Sequence, residues 1–207
     1  MTISLKFSPT MIIVGVLLLI YPLVVTPFWA VQIGANALIL GMIALTIVFL
    51  AGYGGMISLA QVTVAGVAGY SIAYFGINNV GVGILLPWPV GVLIALTLGT
   101  FAGFLIGLIS VRTQGIYMLM ITLALSVVFF YFARQNYTLF NGFTGFNGVT
   151  APVVGGIDLR GPVVFYYLCL VAAGLSYGFV RYIERSPFGL ALQGIRDNER
   201  RMRALGY

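Results

Sequence analysis

The sequence predicts an all-α, polytopic integral membrane protein, and three features of its composition carry that prediction. The 207 residues are 61% hydrophobic, their mean hydropathy is +1.10, and only 7% of them are charged. No Asp, Glu, Lys or Arg occurs between Phe7 and Val111. A soluble helix needs a polar face toward water, whereas a helix between protein and lipid is apolar all round. Helical spans are expected because the apolar runs do not alternate as lipid-facing β-strands do.

Glycine, proline and charged residues divide the chain into six apolar segments of about 20 residues, the length that crosses a bilayer as a helix. The predicted spans are residues 10–28, 31–51, 56–76, 90–111, 116–134 and 162–182. The predicted transmembrane domain is therefore residues 1–185. Residues 186–207 follow it as a separate, charged segment.

The distribution of positive charge predicts that both termini are cytoplasmic. With six spans in that orientation, only Arg134 and Arg160 lie outside. The opposite orientation would invert the excess of Lys and Arg that cytoplasmic loops carry. Trp29 and Trp88 then fall at the outer interface, where indole rings are enriched. The cations predicted on the cytoplasmic side are Lys6, Arg112, Arg181, Arg185, Arg196, Arg200, Arg201 and Arg203.

Several functions lack the side chains that they need. The one lysine, Lys6, belongs to no Gly-x-x-x-x-Gly-Lys phosphate loop, so the chain has no ATP-binding motif of that kind. Histidine is absent and all four acids lie outside the predicted spans, so no intramembrane proton relay is expected. Without a nucleophile and base or a Cys cluster, the sequence predicts no catalytic site, metal or cofactor. The net charge of +6 follows membrane topology and does not indicate nucleic-acid binding.

Glycines at a regular spacing predict a helix-packing surface in the fourth span. Gly99, Gly103 and Gly107 recur every four residues in LGTFAGFLIGLIS. This spacing places the three glycines on one helix face, where a neighbouring helix can approach closely. We expect this contact to lie within the chain, with dimerisation as the alternative.

Residues 51–61, AGYGGMISLAQ, contain three glycines that weaken any continuous helix. The stretch is either a tight turn between two spans or a broken helix that lines a transport pathway. Ser58 is a candidate N-cap for the helix that follows. Uncharged polar side chains at depth suit a zwitterionic or neutral solute better than an ion. These side chains are Asn36, Gln61, Thr63 and Ser71.

The predicted external loop between Asn136 and Gly161 is rich in Gly and Asn, and it is too long for a simple hairpin. Long ordered loops in compact proteins are commonly functional. The loop therefore either docks an external partner or is a plain connection.

The last 22 residues predict an amphipathic helix on the cytoplasmic side. Ser186 is expected to be the N-cap, Pro187 the first helical residue and Gly206 the stop signal. The helix either rests on anionic headgroups or inserts into a groove of a cytosolic protein. Acidic residues among the arginines, with Gly189 and Gly194 allowing close approach, favour the protein contact. The apolar face is predicted to contain Phe188, Leu192, Ile195, Met202 and Leu205.

Four segments resemble the M-type (LivM-like) permease subunit of branched-chain amino acid ABC importers. These segments are GYGGMISLAQ (52–61), RTQGIYMLMITLA (112–124), NGFTGFNG (141–148) and RSPFGLALQGIRDNERRMRALGY (185–207). The resemblance implies a permease in the bacterial inner membrane that works with a second, H-type permease subunit, two cytosolic ATPases and a periplasmic solute-binding protein. ATP would then be bound by the partner subunits. Members of that family continue with further transmembrane helices, so the resemblance also implies that this chain is C-terminally truncated.

The resemblance assigns roles to individual residues. The ATPase-coupling residues that it implies are Ser186, Pro187, Phe188, Gly189, Ala191, Ile195, Arg196, Asn198, Glu199 and Gly206. The pathway candidates are Gly52, Tyr53, Gly55, Ser58, Gln61, Tyr117 and Thr122. The residues expected to dock the external protein are Thr144, Gly145, Asn147 and Gly148.

The function that these segments imply is import of branched-chain or related amino acids, driven by ATP hydrolysis in separate subunits. One alternative keeps the machinery and changes the solute to urea, short amides or another polar molecule. A second alternative, of a different class, is a stand-alone channel or facilitator whose glycine-rich spans line a pore and whose tail anchors to lipid. A third is a non-transporting assembly subunit.

Overall fold

The computed structural model describes residues 9–76, 83–84, 86–113, 115–146, 148–149, 153–154, 157–159 and 161–206, and most of them are helical. The helices are α1 (Pro9–Val24), α2 (Pro27–Trp29), a π-helical segment (Ala30–Ala35), α3 (Asn36–Gly54), α4 (Ala60–Phe75), α5 (Trp88–Ser110), α6 (Ile116–Gln135), α7 (Tyr137–Phe140), α8 (Pro162–Glu184) and α9 (Pro187–Ala204). Two short strands, β1 (Val153–Val154) and β2 (Ile157–Asp158), form an antiparallel ribbon.

Among the described residues, four helices are long and apolar enough to cross a membrane. They are Pro27–Gly54, Trp88–Ser110, Ile116–Gln135 and Pro162–Glu184. Helices α1 and α4 lie in the other two predicted spans, but each has 16 residues. Such a helix is about 24 Å long, against about 30 Å of hydrocarbon in a bilayer. The count of six spans and the cytoplasmic placement of both termini therefore remain predictions.

The chain divides into two compact units. The first comprises Met1–Met42 and Val153–Phe179, and the second comprises Ile43–Pro152 and Val180–Tyr207. Helices α3 and α8 each contribute to both units, α3 with its last two-thirds in the second and α8 with its last turn in the second. The units are described separately below.

The first unit is organised around Tyr166, which is fully buried. Pro22 has no N–H, so the carbonyl of Leu18 lacks its helical donor within α1. The Tyr166 hydroxyl donates to that carbonyl at 2.9 Å. A Cβ on Gly34 would lie 2.7 Å from ring atoms of both Tyr166 and Tyr21, so the π-helical segment passes these rings only with glycine there. Tyr166 thus holds α1 and the π-helical segment to α8.

In the second unit, α4 packs against α5 at two of the three predicted packing glycines. A Cβ on Gly99 would lie 3.3 Å from the Cβ of Ala68, and a Cβ on Gly103 would lie 3.6 Å from the Val64 side chain. No described heavy atom lies within 4 Å of a Cβ built on Gly107. The glycine surface therefore ends one turn earlier than the spacing alone predicts.

The start of α4 differs from the prediction by one position. The helix begins at Ala60 with Leu59 in the capping position, so the assignment of Ser58 as N-cap is wrong. The Ser58 hydroxyl still accepts the Ala60 N–H, at 3.3 Å. The Leu59 N–H bonds instead to the hydroxyl of Thr122 in α6, at 3.3 Å. The start of α4 is therefore bonded both to its own segment and to α6.

The glycine surface gives a matched pair of variants. We expect Gly99→Leu to destabilise the chain by about 1–3 kcal/mol, because the added side chain overpacks the α4–α5 contact. Gly107→Leu should change stability by less than about 0.5 kcal/mol, since the site is open. Denaturant titration of the detergent-solubilised chain measures both values. Equal losses in the two variants would contradict this description of the packing.

Candidate functional site

A cavity of about 470 Å³ opens in the second unit, between α4, α6 and the loop after α7. Its size lies within the range of about 300–1,000 Å³ that small-molecule sites occupy. Its wall includes four aromatic side chains and the aliphatic hydroxyl groups of Thr63, Ser126 and Thr144. The lining residues are Val62, Thr63, Gly66, Tyr70, Ser126, Phe129, Phe130, Ala133, Arg134, Gly142, Phe143, Thr144 and Gly145.

The cavity exists because one face of α4 meets one face of α6. Thr63, Gly66 and Tyr70 recur at i, i+3 and i+7 on α4, and Ser126, Phe129 and Ala133 do so on α6. Residues at these spacings share a helix face. That periodicity was available in the sequence, but it marks any buried helix face and gives no reason to prefer these residues for binding.

The loop after α7 closes the cavity and is built on a compact turn. Asn141 adopts a left-handed backbone (φ 56°), and its side-chain amide donates to the Gly145 carbonyl at 2.8 Å. The Thr144 hydroxyl donates to the Asn141 carbonyl at 2.9 Å. Phe140, the last residue of α7, and Phe146 in the loop both pack edge-on against Tyr70, with ring centroids 5.1 and 6.4 Å apart. The loop is therefore held onto α4 by aromatic packing and shaped by its own hydrogen bonds.

Arg134 supplies the positive charge of the cavity. Its guanidinium carbon lies 3.6 Å from the ring centroid of Phe143 and 5.6 Å from that of Phe130. Such cation–π contacts orient a guanidinium while leaving its N–H groups available for hydrogen bonds. Arg134 is also in the last turn of α6, where a cation interacts favourably with the helix dipole.

Three hydroxyl groups connect α4 to α6, and we call Thr63, Thr122 and Ser126 the hydroxyl ladder; Thr63 and Ser126 also line the cavity. Thr122 is fully buried, accepts the Leu59 N–H and donates to the Met118 carbonyl at 3.0 Å. The Thr63 hydroxyl donates to that of Ser126 at 2.7 Å. Ser126 donates to the Thr122 carbonyl at 2.8 Å. The ladder therefore fixes the first turn of α4 to α6.

A second cluster lies where the end of α3 meets the middle of α9 and the end of α8, and we call it the α3–α9 junction. It comprises Gly52, Tyr53, Gly55, Glu184 and Arg196. The Arg196 guanidinium donates to the Gly52 carbonyl and pairs with Asp197, at 2.8 Å. A Cβ on Gly55 would lie 2.6 Å from the Cγ of Arg196, and Gly55 has a φ of +65°. Both the space and the backbone at this position thus require glycine.

Arg196 stabilises an otherwise unfavourable helix end. The last carbonyls of a helix have no helical donors and carry partial negative charge. The guanidinium of Arg196 meets both needs at the end of α3. On the opposite side of the junction, the Tyr53 side chain hydrogen-bonds to the Glu184 carboxylate, which also pairs with Arg181 at 3.0 Å.

The predicted ends of the terminal helix are confirmed, but the helix is not continuous between them. The Ser186 hydroxyl caps the helix by accepting the Gly189 N–H at 3.3 Å, Pro187 is the first helical residue, and Gly206 follows the helix with a φ of +87°. Asn198, however, is extended (φ −159°, ψ 92°) in the middle of α9. Its side-chain oxygen accepts the Arg201 N–H at 3.0 Å and so caps a second short helix.

Because of this break, the predicted amphipathic face of five apolar residues is wrong. Met202 and Leu205 lie beyond Asn198, so they do not continue the face of Phe188, Leu192 and Ile195. Asn favours such breaks because its side chain competes with the backbone for hydrogen bonds.

The two glycines of the terminal segment have partners inside the chain. A Cβ on Gly189 would clash with the Ile183 carbonyl and lie 2.6 Å from the Glu184 carbonyl oxygen. A Cβ on Gly194 would lie 2.7 Å from the sulfur of Met202. The close approach predicted for a partner protein is thus made by the end of α8 and by the folded-back end of α9.

The predicted pathway residues do not line the cavity. Gly52, Tyr53 and Gly55 belong to the α3–α9 junction. Thr122 belongs to the hydroxyl ladder, and Ser58 is buried beside it. The oxygen of the Gln61 side chain is buried without a hydrogen-bond partner in the described structure, whereas Tyr117 is 69% exposed. Their assignment to a solute pathway stays a prediction.

The predicted docking residues divide between the cavity and its surroundings. Thr144 and Gly145 line the cavity, and Gly148 is exposed with a φ of +72°. Asn147 lies outside the described residues, and so does the side chain of Glu199 in the coupling segment.

Comparison with known proteins shows which family the chain is similar to. A family model described as "Branched-chain amino acid transport system / permease component" matches residues 29–207. A relative from Methanocaldococcus jannaschii, "Probable branched-chain amino acid transport permease protein LivM", is 29% identical over 153 residues. The match covers 68% of this chain and 41% of the relative. No solved structure gives a significant match.

The apolar helices and the family match define a multi-pass membrane transport permease. The chain belongs to the family of branched-chain amino acid transport system permease components, because the family model covers most of its length. The chain spans less than half the length of the curated relative that it matches.

The junction predicts a difference between two arginines of α9. Arg196→Ala should lower the free energy of unfolding by about 1–2 kcal/mol, since the end of α3 loses a charged donor. Arg200→Ala removes the same charge from an exposed position beyond the break at Asn198 and should cost less than about 0.5 kcal/mol. Denaturant titration in detergent compares them, and an equal effect would show that Arg196 does not hold the junction.

Proposed function

We propose that this chain is a permease subunit of an ATP-binding-cassette importer for branched-chain or related amino acids in the bacterial inner membrane. Two separate cytosolic subunits bind and hydrolyse ATP, a second, H-type permease subunit completes the path, and a periplasmic protein delivers the solute. The family membership supports the transport of amino acids. The α3–α9 junction is the observation that supports coupling to a cytosolic motor.

The junction connects the terminal segment to the cavity through a short series of contacts. Arg196 in α9 is bonded to the end of α3 and rests on Gly55. Four residues further on, Leu59 is bonded to Thr122. A displacement of α9 would therefore act on the α3–α4 connection, then on the hydroxyl ladder and on the cavity wall that Thr63 and Ser126 form. The connection between α3 and α4 is hydrogen-bonded at both ends, to Arg196 at one and to Thr122 at the other. Movement of α9 is therefore passed to α4 and is not taken up by a loose loop.

The surface available to an ATPase lies at the start of α9. Phe188 and Leu190 are each 63% exposed there, next to the rigid turn that Gly189 makes with α8. Exposed aromatic side chains on rigid elements are typical anchors of protein interfaces. Arg196, in contrast, is occupied by contacts within the chain. In this proposal the apolar start of α9 binds the ATPase and Arg196 transmits its movement.

Phe188 and Leu205 offer a matched test of this assignment. Phe188→Ala should weaken binding of the ATPase subunit by tenfold or more, about 1.4 kcal/mol or above, as for an interface anchor. Leu205→Ala truncates a residue that is 67% exposed beyond the break at Asn198 and should leave that affinity unchanged. The affinity is measured on the assembled permease in nanodiscs. Unchanged binding by Phe188→Ala would place the ATPase contact elsewhere.

The proposed orientation places the terminal segment in the cytoplasm. In a Cys169→Ala background, which removes the one native cysteine, Leu205→Cys should react with a membrane-impermeant thiol reagent only after cells are opened. Labelling of Leu205→Cys in intact spheroplasts would reverse the orientation and remove the coupling role.

Solute flux distinguishes the importer from a channel. The complete assembly in proteoliposomes should accumulate leucine, isoleucine or valine only with ATP and the solute-binding protein. Flux through this chain alone without ATP would support a stand-alone facilitator. Uptake of urea or short amides in place of amino acids would keep the importer and change its solute.

A further inference from the structure

The cavity contains one cation, Arg134, that has no anionic partner among the residues that the structure describes. Among the described residues, Arg181 pairs with Glu184 and Arg196 pairs with Asp197. Arg134 contributes to neither pair, and its described contacts are with the rings of Phe143 and Phe130. None of the residues that line the cavity is acidic. A half-buried guanidinium without a carboxylate partner is well suited to bind an anion that enters the cavity.

The rest of the wall restricts the kind of anion. Arg134 is the one charged residue of the lining, which matches one carboxylate better than a phosphate with its greater charge. Tyr70, Phe129 and Phe130 present apolar surface to the same space. A site of this size, with apolar walls and one fixed charge, is typical of a small ligand with a polar head and an apolar tail.

We infer that this cavity binds the transported solute, with Arg134 holding the carboxylate of a small amino acid and the aromatic wall holding its apolar side chain. The inference rests on the proposed function and adds the location of the site. The α-ammonium group finds neutral hydroxyl acceptors at Thr63 and Ser126 in place of an acid. The carboxylate is therefore the head group on which recognition depends.

The placement also fits the predicted orientation. Arg134 lies in the last turn of α6, at the end that the charge distribution puts outside. The loop that carries Thr144 and Gly145 closes the cavity on that same side of the helix. A solute released by an external binding protein would meet this cavity first. Its inner wall includes two members of the hydroxyl ladder, which leads to the α3–α9 junction.

Thiol protection tests binding directly in the full chain. Thr144→Cys is placed at the cavity in a Cys169→Ala background, and its reaction rate with a small thiol reagent is measured with and without ligand. Leucine should slow the reaction, and so should 4-methylpentanoate, which keeps the carboxylate and lacks the ammonium. Leucinamide, which lacks the carboxylate, should protect at least tenfold less well.

Variants of Arg134 complete the test. Arg134→Gln should raise the leucine concentration needed for protection at least tenfold and abolish the preference over leucinamide. Arg134→Lys, which keeps the charge and loses the planar fork, should lie between. Arg200→Gln removes an exposed arginine outside the cavity, so leucine should protect Thr144→Cys in this variant as well as it does in the parent. Unfolding midpoints of all variants show whether a loss of protection reflects misfolding.

The outcomes separate this inference from the proposed function. Absent protection of the parent by leucine, or equal protection by leucine and leucinamide, would overturn the cavity as the solute site, even if the complete importer still accumulates leucine with ATP. Protection with the expected ligand order, together with no ATP-driven uptake, would support the site and contradict the importer. If Arg134→Gln fails to fold, the ligand order in the parent alone decides.

Discussion

The contact between Arg196 and the end of α3 is the interaction on which the proposed mechanism depends. The last carbonyl groups of a helix have no helical donors, and at the exposed end of α3 the Gly52 carbonyl receives its donor from Arg196. Arg196 supplies the donor and the charge, while Gly55 provides the space and the left-handed backbone. The same contact joins a polar, terminal helix to an apolar one. Together with the turn at Ser186, this contact positions α9 against the end of α8 and the end of α3.

The hydroxyl ladder extends this constraint toward the cavity. Thr122 accepts the N–H of Leu59, the cap residue of α4, so a neighbouring helix helps to position the first turn of that helix. Interhelical hydrogen bonds of this kind are worth about 0.6–2 kcal/mol each in membrane proteins. That strength is sufficient to set the register of α4 on α6. It is also low enough for the contact to be exchanged when the helices move.

Several elements could be predicted because their causes are local. The apolar runs around α3, α5, α6 and α8 predict helices from composition and length, and the structure has helices there. Ser186 and Pro187 predict the start of α9 because capping depends on neighbouring residues. The break at Asn198 was missed because the pattern of apolar residues continues across it. The Asn side chain favours a break locally, but Asn also occurs within unbroken helices. The break is evident only from the packing of Met202 on Gly194, which brings the end of α9 back onto its earlier part.

The sequence by itself determined that this is a helical membrane permease. Its hydrophobicity, the placement of its charges and its four short motifs depend only on the order of residues along the chain, and not on which helices meet. Only the tertiary structure decided which residues surround the cavity. Tyr70 lies on α4, whereas Ser126 and Arg134 lie on α6, and each has an ordinary local explanation as a span aromatic, a helix hydroxyl or a terminal charge. A cavity depends on which faces of α4 and α6 meet, and that choice follows from contacts between residues far apart in the chain. The glycines of α9 are a second example. The sequence predicts only that another group approaches them closely, and the structure shows that this group belongs to the chain itself.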